Sequence, residues 1–563
     1  MFTNFYTFFI SYIFIISSVL GYGLLICNLI NKSIFSKNIG YVGLTGIFFL
    51  TIYSYSTSLF ISHGQYHNLI FLILGLIFFY LNRNYLRDNL KNNFLILCSV
   101  FGILIIGLFI FKTHDDFSYY HFQYSYYLTQ QPTVIGIGNF GLGLRTTSSL
   151  FYLNSLFYLP IIEFYSFQIT PALILGFSNL ILLIKIKNDI SRNRYNFLTI
   201  YNLLVFIFIN IFFYRLSEHG TDRSAQILIL ILFSEIMLMI NFKAIIEKSI
   251  SKIFILIGLV ISFKAFYILY IIFLAIIIYQ LIKLKISFDK IIKIFIKNIF
   301  FISFIFLLFL ILLHNFLISG CLIYPVSLTC FENNFWAIKI NEVDALNSWY
   351  EQWAKGGASP NFRVEDPVKY IQNFNWVSNW INIYFFNKVS DFLLGLSTLV
   401  LVSFFILRSR KIKLIKKKNI YILIFFIFVL LFEWFYNHPA LRYGGYCLIA
   451  SIVFIYFSIY LEKFDINKKL LKKKIYVLIS IAFIVFTLRN FKRIQYEIVA
   501  YNYKPLKEFN FYFDDKYFNL QNNLDYLITN FDQCKKLNNN CSTEYNKNLI
   551  INKIYGKYVF KKE

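Results

Sequence analysis

Runs of about 17–25 apolar residues recur from one end of this chain to the other. A run of that length can satisfy its backbone hydrogen bonds away from water only as a helix, so the sequence reads as an all-α polytopic transmembrane bundle. At 58% hydrophobic, the 563-residue chain also exceeds the roughly half-apolar content of a soluble domain. Spans are expected near 5–30, 41–60, 68–81, 94–111, 197–214, 225–241, 298–318, 391–407, 420–436, 445–461 and 475–489. The N-terminus lacks a basic leader, so Met1–Ile30 reads as a first span rather than a signal peptide. Residues 148–185 make one net crossing with an amphipathic or re-entrant piece, broken at Pro160 and Pro171. Residues 253–282 start and finish beside basic stretches and so cross twice. Lys264 falls at the turn of that hairpin, because a lysine at a bilayer centre is costly. The total is about 13–14 crossings.

The net charge of +26 suggests nucleic acid until the charges are placed. They sit in short connections such as Arg83–Lys91, Lys185–Arg194, Lys283–Lys297, Arg408–Lys418 and Lys463–Lys474. Basic residues collected in short loops mark the cytoplasmic side of a membrane protein. No basic stripe interleaved with aromatics forms one face of a folded domain, so nucleic acid is excluded as a partner. The polar, basic-poor loops 112–147, 215–224, 319–390 and 437–444 then share the outer side with both termini. This divides the chain into a transmembrane domain, 1–489, with outward loops 112–147 and 319–390, and a small soluble C-terminal tail, 490–563. Two local cysteine pairs fall on that oxidising side, Cys321 with Cys330 and Cys534 with Cys541. They read as two small disulfide loops, although pairs of free thiols would give the same sequence. Zinc fits less well, since no histidine stands near either pair at ligand spacing.

The chemistry-bearing residues concentrate in the outward segments. THDDFSYYHF places Asp115 and Asp116 directly after a span, between His114 and His121. Adjacent carboxylates repel, so one holds a raised pKa or shares a cation. The pair suits a general base with a helper, or an oxygen-ligand site for a divalent cation such as Mg²⁺ or Mn²⁺. No other cofactor is implied. A helix cap at the membrane surface would also want Asp there. Gly136, Gly138 and Gly141 match the letters of a dinucleotide fingerprint, but the required strand–turn–helix unit is missing. Arg145 then opens a donor-rich rim with Thr146 to Ser149. RLSEHGTDRSAQ offers Glu218, His219, Asp222 and Arg223, either as an internally paired turn or as ligands for sugar or phosphate. FEWFYNHPALRYGGY adds His438 and Arg442; a guanidinium suits forked recognition of phosphate oxygens. Five of the six tryptophans, Trp336, Trp349, Trp353, Trp376 and Trp380, lie in loop 319–390. Rings there could stack on sugars, or lie on a membrane surface.

An acid pair after a span, a lysine in LVISFKAFYILY and a late outward arginine together resemble the polytopic glycosyltransferases of the GT-C class. That class includes protein O-mannosyltransferases and the aminoarabinose transferase of lipid A. The segments NFGLGLRTTSSLFYLNSLFYLP, SGCLIYPV and HPALRYGG look most like its uncharacterised bacterial branch. In most such enzymes the acids follow the first span, whereas here three further spans come earlier. The resemblance implies a GT-C-like fold in a bacterial inner membrane. It also implies transfer, facing the periplasm, from a polyprenyl-phosphate-linked sugar drawn from membrane lipid to a glycan, lipid or protein acceptor. Asp115 or Asp116 would be the catalytic acid of the first loop. His121, Arg145, Glu218, His219, Asp222, Arg223, Lys264, His438 and Arg442 would bind substrate. Two other functions use similar parts: a flippase or transporter for lipid-linked sugars, and a polysaccharide polymerase or ligase.

Overall fold

The computed structural model describes residues 3–30, 38–114, 116–192, 195–242, 246–359, 364–414, 418–507, 549–554 and 557–562. The described chain is an all-α bundle with a single β-hairpin, Leu549–Ile554 paired antiparallel with Lys557–Lys562. Among the described residues, eight helices are long and apolar enough to cross a membrane: Asn4–Leu29, Ile39–Ser58, Phe164–Ser191, Gly220–Asn241, Ala265–Lys283, Ile299–Ser319, Val377–Leu407 and Gly445–Glu462. Four shorter apolar helices accompany them, Gln65–Leu81, Asn93–Leu108, Phe197–Ile211 and Tyr421–Asn437. That is the architecture of a multi-pass membrane protein.

The segment 253–282 is a broken hairpin. Helix Ile246–Phe263 stops at Lys264, which is extended (φ −161°, ψ 139°), and Ala265–Phe273 resumes as a 3₁₀-helix. Residues 148–185 form a short helix, Ser149–Leu156, a turn around Pro160, and the long helix Ile169–Ser191. Pro160 breaks the segment as expected, but Pro171 does not. It sits in the first turn of the long helix, where its missing N–H has no intrahelical partner to lose. Polar caps set several starts: Asn38 accepts from Gly40 N, and Asn196 forms a reciprocal box with Thr199.

Glycines bring the N-terminal helices into backbone contact. A Cβ on Gly21 would lie 1.8 Å from Gly75 O, and one on Gly46 would lie 2.1 Å from Val19 O. Such small-residue contacts allow close packing where apolar burial gives little preference between protein and lipid.

Two of the basic stretches, 408–418 and 463–474, meet at one end of the bundle. Lys413 N donates to Lys463 O, Asp465 N to Lys411 O, and Lys474 Nζ to Arg408 O. At the other end Glu497, late in helix Lys468–Tyr501, accepts from Phe111 N and Lys112 N. That helix runs on past 489 to Tyr501. The hairpin docks on the first polar loop, where Phe560 N donates to Ile135 O and the buried Phe560 packs on Phe140.

Inside the bundle, Glu235 is fully buried between Lys185 (2.6 Å) and Lys252 (3.7 Å), and Tyr41 donates to it at 2.5 Å. Removing one member of a buried ionic group leaves uncompensated charge. Glu235→Leu is therefore expected to cost about 3–5 kcal/mol of stability. Adding Lys185→Met and Lys252→Met should recover most of the loss. Thermal melting in detergent checks this, and a triple variant no more stable than the single one would contradict it.

Candidate active site

Four segments far apart in sequence converge on one guanidinium. Arg442 lies in a 3₁₀ turn, Leu441–Tyr443, between two apolar helices, and Gly444 at φ +113° closes that turn. Its Nη2 donates to Asp116 Oδ2, and its Nε donates to Asp222 Oδ2 at 2.9 Å. Asp222 stands in the first turn of Gly220–Asn241, where the helix dipole favours an acid. Its other oxygen accepts from Lys264 Nζ at 2.6 Å. Asp116 precedes a π-helical turn, Phe117–His121, a rare geometry that often marks functional positions. Tyr120, one helical turn on, donates to Asp116 Oδ2 at 3.3 Å, and Asp116 N donates to His114 Nδ1 at 3.0 Å. Aromatic faces cover the cations: Tyr443 lies 4.4 Å from Lys264 Nζ, and Trp353 lies 5.4 Å from the Arg442 guanidinium.

The cluster is anchored on one side and open on the other. Asp222 is 7% exposed, whereas Asp116, Lys264 and Arg442 are 27%, 26% and 25% exposed. Two carboxylates balance two cations. Burial alone would raise the Asp116 pKa, but Arg442, with His114 and His121 adding to it, outweighs burial and holds the carboxyl well below the usual range. Burial lowers the Lys264 pKa, partly offset by Asp222. The Arg442 guanidinium loses to burial but gains more from Asp222 and Asp116, so it stays firmly charged.

The structure sorts the sequence candidates. Asp116, Asp222, Lys264 and Arg442 meet directly; Asp115 lies outside the described residues. His438 stacks edge-on to Tyr443 and Phe266 beside the cluster, its pKa lowered to about 4 by burial and then by Lys264. His121 is buried behind Asp116 and lines a small cavity with His114, Asn154, Gln168, Ser217 and Gly220. Gly220, at φ +53°, leaves room for that imidazole, since a Cβ there would lie 2.9 Å from His121 Cε1.

Four expected substrate-binding residues have other partners. Arg145 is buried and ties Gly138 O to Glu342 on helix Ile340–Lys355. Glu218 pairs with Arg493 at 2.6 Å and Arg215 at 3.4 Å. His219 is buried with its Nε2 on Phe213 O. Arg223 Nη1 reaches the Glu218 carbonyl at 3.5 Å. These contacts brace the loops. Among the tryptophans, Trp376 is buried against Phe435 and Trp380 donates to Pro439 O, so they hold loop to bundle. Trp353 reaches the cluster, and Trp349 is 47% exposed.

The sequence assigns no role to His114, Tyr120 or Tyr443, and it offers Trp353 only as one of five loop tryptophans. Tyr120 was legible as the residue four after Asp116, whereas nothing local marks Trp353 out from the other tryptophans of its loop. Cys321 and Cys330 are bonded, and Cys534 and Cys541 lie outside the described residues. Among the described residues, no group of three or more His, Cys, Asp and Glu stands together as a metal site.

A helical bundle of membrane character, carrying an ion-paired acid–cation cluster at its polar-loop end, is the class these features define. The chain belongs to the family of the domain of unknown function DUF8201, whose model matches residues 6–449 and so includes every member of the cluster. No curated protein and no solved structure matches the chain.

Three of the four buried histidines lie outside the spans and give the molecule a pH dependence. Burial lowers His63, His121 and His219 to about 3. The unfolded chain therefore binds these protons first, and stability falls as pH drops from about 6.5 toward 3. Each histidine contributes a slope of about 1.4 kcal/mol per pH unit across that window. Asp116, depressed by Arg442, adds in the same direction at the acid end. Melting temperature should decline between pH 7 and 4.5, with a shallower decline in His121→Gln; an unchanged slope in that variant would contradict this.

Proposed function

We propose that this protein is an integral membrane glycosyltransferase that takes a sugar from a polyprenyl-phosphate donor. The observation that carries the reading is the meeting of Asp116 with Arg442, 326 positions later, in a partly exposed cluster with Lys264. A glycosyl phosphate needs cations where charge gathers on the leaving phosphate, and a carboxylate within reach of the attacking hydroxyl. Both kinds of group stand together here.

In this mechanism the donor reaches the site laterally from the bilayer, and its phosphate is met by Arg442 and Lys264. The acceptor hydroxyl oxygen attacks the anomeric carbon as the bond from that carbon to the phosphate oxygen breaks. The anomeric configuration inverts. Asp116 takes the hydroxyl proton and later returns it to water, and the polyprenyl phosphate leaves with the bonding electron pair. Positioned cations of this kind are worth several kcal/mol of barrier. Trp349 and Trp353 supply faces on which a sugar ring can rest. Because the basic stretches 408–418 and 463–474 meet at the opposite end of the bundle, the positive-inside rule favours a non-cytoplasmic site. In a bacterial inner membrane that is the periplasmic face, and a glycan, lipid or protein hydroxyl there is the acceptor.

Asp116→Asn should lower transfer about 10²–10⁴-fold in membranes supplied with a labelled polyprenyl-phosphate sugar. Arg442→Lys should also be strongly impaired, because one ammonium cannot hold the two carboxylates in a fork. Asp115→Asn, assayed beside them, separates the two acids. Wild-type transfer by Asp116→Asn would remove it as the base and, with it, this mechanism.

A further inference from the structure

The two carboxylates on Arg442 are not equivalent. Asp222 is buried at a helix N-terminus, with one oxygen on Lys264 and the other on Arg442. Asp116 is the more exposed partner, at the N-cap of a π-turn, and it contacts the guanidinium through Nη2 instead of Nε. The contact to Asp222 can therefore persist while the contact to Asp116 is exchanged.

We propose that Asp116 occupies on Arg442 the place of the donor's phosphate and gives it up when the phosphate arrives, while Asp222 keeps both cations in position. Binding the donor and freeing the base then become one event. This rests on the glycosyltransferase reading and assigns Asp222 as a positioning residue rather than a ligand.

Charge balance is the first argument. Among the described residues the resting cluster holds two cations and two carboxylates, so these four groups have no net attraction for an anion. A phosphate set beside an unmoved Asp116 would add like-charge repulsion. Exchanging the exposed carboxylate for the phosphate preserves the balance, and Asp222, 7% exposed, has no comparable freedom.

Geometry is the second. A guanidinium offers five N–H donors in a rigid fork. With Nε held by Asp222, the Nη edge that meets Asp116 is the part open to a tetrahedral anion. Tyr120 and His114 remain beside the displaced carboxylate, since Tyr120 Oη already donates to Asp116 Oδ2 and His114 Nδ1 lies 3.6 Å from that oxygen.

Chemistry is the third. A carboxylate gripped by a guanidinium is a weak base for an alcohol proton, and Asp116 is held below its ordinary range by that grip. Released from Arg442, it regains basicity when the leaving group is in place. A base idle until the donor is bound also has less opportunity to activate water.

Binding separates this from simpler roles. A polyprenyl monophosphate and, in parallel, inorganic phosphate would be titrated against purified full-length protein in nanodiscs. Asp116→Asn removes the internal competitor and should bind the lipid phosphate at least about tenfold more tightly than wild type, even though it is inactive. Asp116→Ser should do the same, which guards against a single variant that fails to fold. Asp222→Asn should bind more weakly and Arg442→Gln not measurably. A gain seen with inorganic phosphate too would place the exchange in the headgroup alone. Equal or weaker binding by both folded Asp116 variants would overturn the exchange while leaving the transferase reading intact. No binding of polyprenyl phosphate by wild type would overturn both.

Discussion

One guanidinium holds the polar end of this protein together. Arg442 reaches two carboxylates from different helices, and Lys264 shares one of them. None of the four charges is fully exposed, so each has given up part of its hydration. Such loss is tolerable only where opposite charges and hydrogen bonds replace water. The replacement explains why four separate segments must end at the same level: the turn before the π-helix, the start of Gly220–Asn241, the break at Lys264 and the turn Leu441–Tyr443. Remove the arginine and two acids face each other with one lysine between them.

The same rule operates once more within the bundle, where Glu235 is enclosed by Lys185, Lys252 and Tyr41. The two groups differ in access. Glu235 is entirely buried, so its ions fix helix positions. The Arg442 cluster is about a quarter exposed on the side of Asp116 and Lys264, so its ions are reachable. That contrast in exposure, rather than the presence of charge, separates a structural ion group from a candidate site. The loops over the open side are themselves braced. Arg145 joins the glycine-rich run to helix Ile340–Lys355, the Cys321–Cys330 bond closes the start of the large loop, and Phe560 of the C-terminal hairpin seats on Phe140.

Much of this was legible beforehand, for reasons that can be named. Apolar runs specify helices because a backbone without water must bond to itself, and the helices fall where the runs lie. The Lys264 turn was legible because an ammonium does not rest in the middle of an apolar hairpin. What was not legible shares a cause as well. Arg145, Glu218, His219 and Arg223 have the composition of a binding site, but composition says nothing about partners. Arg493 and Glu342, which complete two of them, come from segments with no visible link to those loops. Pro171 reads as a breaker from its ring alone, and becomes harmless only once the first turn of a helix is known to surround it. The docking of the terminal hairpin had no signal in the sequence, since a strand pairing made by backbone atoms leaves little trace in side-chain identity.

By itself the sequence determined the class of architecture, the division between a basic and a polar-loop end, and the set of groups from which a site would be drawn. Those follow from the hydration of single residues, a local property. Only the tertiary structure decided which acid faces which cation, and that Asp222 is the buried anchor while Asp116 is the exposed partner. Pairing depends on distances between residues hundreds of positions apart, and packing of the whole bundle sets those distances.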